Sequence, residues 1–231
     1  MKHFLVIGGS SGIGKIITQK LVEAGHQVSA TFKNNAPEEY SEALTWFRWD
    51  AEEEFPTAKL PEKLDGYVYC PGTIHLKPFA RADLTDFEKD FKIQVLGVVR
   101  SLQASLPSLK KSGKASIVLF STVAVQTGFP FHSIVSASKG AIEGLARALA
   151  AELAPGIRVN VIAPSLTDTP LAAKLLNSEE KRIASAERHP LRRTGLAEDQ
   201  ANAAVFLLSD ESSWITGQVM HVDGGLSSLK I

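Results

Sequence analysis

Four glycines lie in a short stretch near the start of the chain that joins an apolar burst to a helical pattern. The stretch reads GGSSGIG over residues 8–14, after the burst at 3–7 and at the start of a helical pattern at 12–24. Glycines permit a tight turn and a close backbone approach, and free N–H groups at a helix N-terminus attract phosphate. The stretch predicts either a purely structural turn or, given its position, a pyrophosphate site formed by Gly8, Ser10, Ser11, Gly12, Ile13 and Gly14.

Short apolar bursts alternate with longer helical patterns along the chain, and these elements must position the glycine loop. The bursts are often β-branched and lie at 3–7, 27–32, 44–49, 66–70, 115–121, 157–163 and 218–222. Such bursts are typical of strands buried on both faces of a parallel sheet. Helical patterns lie between them at 12–24, 84–109, 135–153 and 197–208. The alternation predicts an α/β fold with a doubly wound parallel sheet and right-handed crossovers.

Two stretches do not follow this alternation. Residues 33–40 are polar and include a proline, which predicts a loop with at most a short helix. Residues 171–189 are charged and rich in alanine, and we expect them to form a mobile flap. No linker or internal repeat divides the chain. We therefore expect one dinucleotide-binding domain over 1–231, with a small substrate flap at about 170–195.

Composition excludes several classes of protein. The chain has 231 residues, 44% of them hydrophobic, and its 25 Lys plus Arg balance its 25 Asp plus Glu. This balance favours neither nucleic acid nor an anionic membrane as a partner and leaves a small-molecule substrate. Cys70 is the single cysteine, which excludes an intramolecular disulfide and a multi-cysteine metal site, and no metal is expected. We expect a cytoplasmic protein, because the sequence shows neither a long apolar segment nor a signal-peptide pattern.

Three separated motifs resemble those of the short-chain dehydrogenase/reductase family, and the resemblance extends from Lys2 to Gly225. They are GGSSGIG at 8–14, RVNVIAPSLTDTP at 158–170 and FLLSDESSWITGQVMHVDGG at 206–225. The resemblance implies a seven-stranded Rossmann-type sheet with helices on both faces, a nicotinamide cofactor across the strand ends, and a homodimer or homotetramer. It also assigns Pro164 and Thr169 to the cofactor, with Thr169 on the nicotinamide carboxamide, although Thr169 could instead cap a helix.

The end of the second strand bears on which nicotinamide cofactor is bound. An acidic residue there accepts hydrogen bonds from the ribose 2′-OH of NAD but repels the 2′-phosphate of NADP. This chain has Phe32 followed by Lys33, so we expect NADP(H) to be preferred over NAD(H), unless Lys33 is only a solvated loop residue. The resemblance places Asp50 and Ala51 at the adenine edge, although Asp50 could instead cap the segment that follows it.

The catalytic positions implied by the resemblance are substituted in this chain. The family has a Tyr that donates a proton, a Lys four residues later that also binds the cofactor, a Ser that polarises a carbonyl, and an Asn that holds a relay water. Lys139 is in register for the lysine, but Val135 occupies the Tyr position and cannot donate a proton. Thr122 and Gln94 fall on the Ser and Asn positions and keep a hydroxyl and an amide. Gly72, kept from an Asn-Ala-Gly motif, is expected to let the backbone approach the cofactor.

Two histidines are candidates for the missing proton donor. His132 lies seven residues before Lys139, where enoyl reductases of the same superfamily carry their Tyr, and an imidazole can give and take a proton near neutral pH. It could equally be a solvent-facing or packed loop residue. His189 lies in the expected flap and could approach the substrate, but a flap histidine without a partner in the sequence is expected at the surface.

Three functions remain open at this point. The leading hypothesis is an NADP(H)-dependent oxidoreductase that acts on a carbonyl, alcohol or activated alkene with a non-standard active site. Alkene reduction suits the missing acid, because an enolate held by hydrogen bonds can be protonated later by water. The alternatives are a catalytically inactive NADP(H)-binding sensor or structural subunit, and a lyase or isomerase without net redox. We expect the helices at 84–109 and 135–153 to form the oligomer interface, since both carry apolar positions beyond one sheet-facing stripe.

Overall fold

Seven parallel strands form the central sheet of the computed structural model, which describes residues 1–34, 36–37 and 41–230. The strands are β1 His3–Ile7, β2 Gln27–Phe32, β3 Leu44–Arg48, β4 Gly66–Tyr69, β5 Ala115–Phe120, β6 Ile157–Pro164 and β9 Val219–Val222. Their order across the sheet is β3-β2-β1-β4-β5-β6-β9. The doubly wound seven-stranded sheet predicted from the sequence is confirmed, and each predicted burst matches its strand to within one residue at either end.

Helices cover both faces of this sheet. The α-helices of the described residues are α1 Gly12–Glu23, α2 Leu84–Phe91, α3 Gly97–Lys110, α4 Ala124–Thr127, α5 Ser133–Leu153, α6 Glu179–Glu187 and α7 Ala197–Leu208. Short 3₁₀ helices lie at Thr57–Lys59, Phe79–Arg81, Pro170–Leu175 and Asp210–Ser212. In the described part of the chain, no helix is both long and apolar enough to cross a membrane.

Successive strand residues pack into two separate apolar cores. Leu5 of β1 packs in a core with Ile142 of α5. The next residue, Val6, packs in the other core with Ile17 of α1 and Leu207 of α7. Side chains along a strand point alternately to opposite faces, so both faces of the sheet are buried. This burial explains why the strands appear in the sequence as continuous apolar bursts rather than as alternating patterns.

The helix predicted over 84–109 is confirmed in its extent, but it contains a π-helical turn that the sequence pattern did not predict. A π-helical turn at Lys92–Leu96 separates α2 from α3. The Tyr69 hydroxyl at the end of β4 donates to the Ile93 carbonyl at 2.5 Å, so a side chain is hydrogen-bonded to a backbone carbonyl within the π-helical turn. A Cβ on Gly97 would lie 2.2 Å from the Tyr69 hydroxyl, so only glycine leaves room for it. Such turns often occur at functional sites, and this one contains Gln94.

The two segments predicted to be irregular have different outcomes. The predicted flap holds the 3₁₀ helix Pro170–Leu175 and α6, between the two short strands β7 Thr167–Asp168 and β8 Gly195–Leu196. These strands pair in parallel and join the segment at its base. Its mobility stays a prediction. The loop predicted at 33–40 lies partly outside the described residues, at 35 and 38–40.

Candidate active site and cofactor cleft

The glycine loop makes a tight turn that is tied to the end of β2. Gly8 has a φ of +74°, and its N–H donates to Thr31 Oγ1 at 2.8 Å. The Gly9 N–H donates to the Thr31 carbonyl at 3.0 Å. A Cβ on Gly14 would lie 2.2 Å from the Gly8 carbonyl oxygen, so the first turn of α1 packs directly on the loop backbone. The turn therefore depends on glycine at both positions.

The first turn of α1 is suited to bind an anion. Ser11 is the N-cap residue, its side chain makes no capping hydrogen bond, and the first turn carries no acidic residue. N–H groups at a helix N-terminus together with the positive end of the helix dipole favour negative charge. The predicted loop residues line one cavity of about 330 Å³ here: Gly8, Ser10, Ser11, Gly12, Ile13 and Gly14. This arrangement suits a pyrophosphate.

The same cavity contains a charged pair. Lys33 Nζ lies 2.8 Å from Asp50 Oδ2, and Phe32 and Ala51 line the cavity as well. Burial would raise the pKa of Asp50, but hydrogen bonds from Lys33 and from the Glu52 N–H hold that pKa below its ordinary value. Lys33 is thus bound to a carboxylate rather than merely solvated. The Glu52 N–H contact of 3.3 Å to Asp50 Oδ1 shows that Asp50 also caps the turn that follows it.

A second cavity, of about 610 Å³, adjoins the first. Ile13, Cys70, Gly72, Thr169 and Leu171 line both cavities, which together form one extended cleft. The larger cavity contacts the remaining predicted site residues: Gln94, Thr122, His132, Lys139 and Pro164. The structure therefore brings every predicted site residue to this cleft.

Lys139 and Gln94 converge beside Gly72. Lys139 is buried and its Nζ donates to the Phe120 carbonyl at 2.9 Å. Burial lowers the pKa of Lys139 to about 8, although the charge of Asp90 opposes this change. Among the described residues, the buried Gln94 Oε1 has no hydrogen-bond partner. A Cβ on Gly72 would lie 3.5 Å from Gln94 Oε1 and 3.9 Å from Lys139 Nζ. A cation and an orphaned acceptor beside a glycine fit the ribose hydroxyls of a nicotinamide cofactor and an ordered water.

Asp90 belongs to a buried network that sequence reasoning missed. Its side chain is 2% exposed, and its carboxylate accepts hydrogen bonds from the Thr73 hydroxyl and, at 2.8 Å, from Gln94 Nε2. A carboxylate can only accept, so the Gln94 amide must turn its NH₂ group to Asp90. This leaves Gln94 Oε1 on the side of Gly72 and Lys139. The i,i+4 spacing of Asp90 and Gln94 was the one signal in the sequence for this contact.

Three further predicted residues lie on the wall of the larger cavity. Val135 lies one helical turn before Lys139 and lines the cavity, although it is only 7% exposed. Thr122 also lines the cavity, and its Oγ1 accepts a hydrogen bond from the Ala124 N–H at 3.3 Å. His132 is half-buried, and its Nδ1 lies 2.8 Å from the Pro130 carbonyl oxygen. The aliphatic side chain of Val135 therefore lines this cavity one helical turn from the buried Lys139.

The expectation that His189 lies at the surface is wrong. The side chain is 2% exposed and lines the larger cavity, where Nε2 lies 2.8 Å from Ser165 Oγ. Its Nδ1 lies 2.7 Å from the Ser185 carbonyl oxygen. The partner, Ser165, lies 24 residues away in the sequence. No local pattern signals a contact over that distance, which is why sequence reasoning missed Ser165 and expected His189 at the surface.

Comparison with known proteins identifies a matching family model and relatives that match along nearly the whole chain. A family model described as enoyl-(acyl carrier protein) reductase matches residues 8–227, which include every strand of the central sheet except β1. A tropinone reductase homolog from Arabidopsis thaliana is 34% identical over 240 residues, covering 96% of this chain and 92% of the plant protein. The 3-oxoacyl-[acyl-carrier-protein] reductase FabG of Aquifex aeolicus is 34% identical over 242 residues, covering 97% of each protein.

The likeness extends to solved structures. The structure of ElxO with NADP bound matches with a TM-score of 0.91 at 27% identity, covering 99% of this chain and 100% of the other. The family model and the relatives each cover nearly the whole chain, and so does the matching fold. The chain therefore belongs to the short-chain dehydrogenase/reductase family of oxidoreductases.

Proposed function

We propose that the chain is an NADP(H)-dependent oxidoreductase that acts on a carbonyl, an alcohol or an activated alkene. One observation carries the proposal: a single cleft contains the glycine loop, the Lys33–Asp50 pair and the buried Lys139. The loop and the N-terminus of α1 would hold the pyrophosphate, and Lys139 the nicotinamide ribose. When bound, the cofactor would supply or accept a hydride.

The preference for NADP(H) rests on the end of β2. Phe32 removes the acid that would repel a 2′-phosphate, and Lys33 offers a cation to it. ElxO, a structural relative, has NADP bound. Asp50 moderates the preference, because it holds Lys33 at 2.8 Å and brings a negative charge to the same place. A 2′-phosphate would have to share Lys33 with this carboxylate.

The catalytic roles follow from the residues around Lys139. We place Val135 where the family's proton-donating tyrosine is expected, with Lys139 one turn later in α5. Thr122 would polarise the substrate oxygen. Gln94, held by Asp90, would direct Oε1 to a water beside Lys139. The site thus keeps groups that bind and orient but lacks the usual acid at its centre.

The walls of the larger cavity favour a substrate with an apolar body. Apolar side chains from several segments line it: Ile74, Leu76, Phe129, Phe131, Leu171 and Leu175. Burial raises the pKa of the Cys70 thiol to about 12, so Cys70 is not a thiolate nucleophile at neutral pH. We propose a ketone or an activated alkene as substrate. The alkene suits the site better, because its enolate need not be protonated at once.

The alternative function, an inactive NADP(H)-binding sensor or structural subunit, is favoured by one observation. In the part of the chain that the structure describes, no tyrosine lines the larger cavity. A side chain positioned to donate a proton typically raises the reaction rate by about 10² to 10⁴-fold. A site without such a side chain would therefore be slow unless another group replaces it. Binding without turnover is the outcome that this alternative predicts.

Two measurements separate these functions. Fluorescence titration with NADPH and NADH tests the cofactor site, and we expect tighter binding of NADPH. Oxidation of NADPH, followed by absorbance over a panel of ketones and enones, tests the chemistry. Turnover supports the oxidoreductase, whereas NADPH binding with no turnover on any substrate supports the sensor or structural subunit. Failure to bind either nucleotide contradicts both.

We also propose a homodimer or homotetramer in the cytoplasm, with α2, α3 and α5 at the interface and the segment at 170–195 acting as a substrate flap. Light scattering at micromolar concentration tests the assembly, and a monomer would contradict it.

A further inference from the structure

A serine and a histidine form a hydrogen-bonded pair on the wall of the larger cavity. His189 Nε2 lies 2.8 Å from Ser165 Oγ, and His189 Nδ1 lies 2.7 Å from the Ser185 carbonyl oxygen. A backbone carbonyl can only accept, so Nδ1 carries a hydrogen. In the neutral ring, Nε2 then has the lone pair and accepts the Ser165 O–H. The contacts thus arrange a hydroxyl at the cavity wall, an imidazole behind it, and a carbonyl that fixes the imidazole.

Three separate parts of the chain fix this imidazole. Ser165 directly follows β6, and Ser185 belongs to α6. On another side, a Cβ on Gly224 would lie 3.6 Å from His189 Cδ2, so the turn after β9 packs against the ring. The Leu191 N–H donates to the Gly224 carbonyl at 3.2 Å and joins the residues after His189 to that turn. The ring is therefore held in one orientation and, at 2% exposure, is shielded from bulk water.

The other histidine on the cavity wall has a different environment. His132 is half-buried, and its Nδ1 contacts the Pro130 carbonyl of its own loop at 2.8 Å. Among the described residues, no side chain is hydrogen-bonded to His132 Nε2. Its ring packs against Phe129, with 5.5 Å between centroids. His132 thus has an orienting carbonyl but no hydroxyl through which to pass a proton, whereas His189 has both.

Resting on the oxidoreductase function proposed above, we infer that Ser165 and His189 deliver the proton that Val135 cannot. As the substrate carbon gains a hydride, the Ser165 O–H bond breaks and its proton goes to the ketone oxygen or to the α-carbon of the alkene. For this, Nε2 first takes a proton from solvent in the cavity, and the resulting imidazolium donates to Ser165 Oγ so that the Ser165 O–H turns to the substrate. Once Ser165 has given up its proton, Oγ takes the Nε2 proton and His189 is neutral again. One hydride and one proton are added in all, and Ser165 is unchanged.

The first test needs neither cofactor nor substrate. We expect ¹⁵N NMR of the histidine-labelled free protein to show one imidazole with a protonated Nδ1 and a hydrogen-bonded Nε2. The His189→Gln variant assigns that signal. Ser165→Ala should shift the Nε2 resonance of this ring and leave Nδ1 protonated. An unchanged Nε2 resonance in Ser165→Ala would overturn the pairing.

The second test measures proton delivery. With any ketone or enone that the wild type reduces, we expect Ser165→Ala and His189→Gln to lower kcat by about 10² to 10⁴ with an unchanged Kd for NADPH. With 2-methyl-2-cyclohexen-1-one in D₂O, the wild type should place deuterium at the α-carbon in one configuration. The variants should give a mixture, because the deuteron then comes from water. His26→Gln is the control, since His26 packs on Phe4 and does not line either cavity.

The outcomes distinguish this inference from the function on which it rests. Wild-type rate and stereochemistry in both variants would overturn the relay and leave the oxidoreductase intact. A loss confined to His132→Gln would also overturn it and assign the proton to the other histidine. Failure of the wild type to reduce any substrate would remove the proposed function together with the relay. If His189→Gln does not fold, Ser165→Ala alone decides, because it removes only one hydroxyl.

Discussion

The two cavities of the cleft differ in what shapes them. The smaller one is shaped by backbone: the positive φ of Gly8, the contact between Gly14 and Gly8, and the N-terminus of α1 all come from one strand, turn and helix. The larger one is shaped by side chains from segments far apart in the sequence, among them Gln94, Val135 and His189. A backbone site tolerates little change, whereas a side-chain site can change its chemistry one residue at a time. On our proposal, the smaller cavity has the glycine loop expected of the family, whereas the larger cavity differs from the family at its catalytic positions.

The largest effect is expected from placing a phenol in the larger cavity. Val135→Tyr puts a hydroxyl one helical turn from Lys139, whose ammonium favours the phenolate and lowers the pKa of the phenol. In a Ser165→Ala background, where the inferred Ser165–His189 relay cannot act, we expect Val135→Tyr to raise ketone reduction by about 10² to 10⁴-fold, which is the usual effect of one positioned acid. In the wild-type background the gain should be smaller. The measurement is NADPH oxidation with simple ketones.

Val135→Phe is the matched control for this gain, because it adds the ring without the hydroxyl. An equal gain in Val135→Phe would assign the effect to packing rather than to proton donation. A wild type already as fast as Val135→Tyr, and insensitive to loss of Lys139, would show that the catalytic register is wrong.

The backbone-shaped cavity should respond to one methyl group. In Gly14→Ala, the new Cβ would lie 2.2 Å from the Gly8 carbonyl oxygen, so the loop must move. Overpacking of this kind costs about 1 to 3 kcal/mol, which corresponds to NADPH binding weaker by about 5- to 150-fold if the whole cost falls on the binding site. The cost can appear as weaker nucleotide binding, which titration measures, or as lower stability, which the midpoint of urea unfolding measures.

Gly144→Ala is the control for this change. Gly144 lies in α5, and a Cβ there would meet nothing within 4 Å. A helical Gly→Ala change of this kind should stabilise the protein by about 0.5 to 1 kcal/mol. If Gly14→Ala behaved like Gly144→Ala, the glycine loop would not be the constraint we describe.

The Lys33–Asp50 pair is the part of the smaller cavity that depends on side chains, and we expect it to set cofactor choice. Lys33→Asp removes the cation and adds an acid, so NADH should bind more tightly than NADPH. Asp50→Asn should do the opposite and tighten NADPH by about tenfold, because it frees Lys33 and removes a negative charge. Titration of each variant with both nucleotides checks this. Equal affinities of the wild type for NADPH and NADH would contradict it.

The fold and the smaller cavity were predictable because their causes are local. Burial of the sheet on both faces produces continuous apolar bursts, and the tight turn before α1 requires glycine at fixed positions. Both features lie within a few consecutive residues, where the sequence displays them directly. The π-helical turn was not predictable in this way, since its cause is the Tyr69 hydroxyl, which comes from a strand more than twenty residues earlier.

The larger cavity was predictable only where a motif fixed the position. Lys139, Thr122 and Gln94 were located by their register, and the structure places all three at the cavity. The contact between His189 and Ser165 was not predicted, because it depends on how α6 packs beside the end of β6. Asp90 was missed because a charged residue in an amphipathic helix is ordinarily solvated, whereas this one is buried and hydrogen-bonded to Thr73 and Gln94.

The smallest effect concerns Asp90, whose charge opposes the loss of the Lys139 proton. Lys139 has a pKa of about 8 in the folded chain against an ordinary value of 10.5, so the unfolded chain binds this proton more tightly between those pH values. The free energy of unfolding should therefore rise as pH increases from 8 to 10.5, and the cost of burying the ammonium is fully present below pH 8. In Asp90→Asn the pKa of Lys139 should fall further, and the rise should begin at a correspondingly lower pH.

Urea unfolding of the wild type, Asp90→Asn and Lys139→Met from pH 6 to 10 measures this directly. Lys139→Met lacks the titrating group, so its profile supplies the baseline from which the Lys139 contribution is read. A wild-type profile parallel to that baseline would mean that Lys139 is not a buried cation. An Asp90→Asn profile that rises in the same range as the wild type would mean that the charge of Asp90 does not reach Lys139. Then Asp90 would act only by orienting Gln94, and the larger cavity would be set by hydrogen bonds rather than by charge.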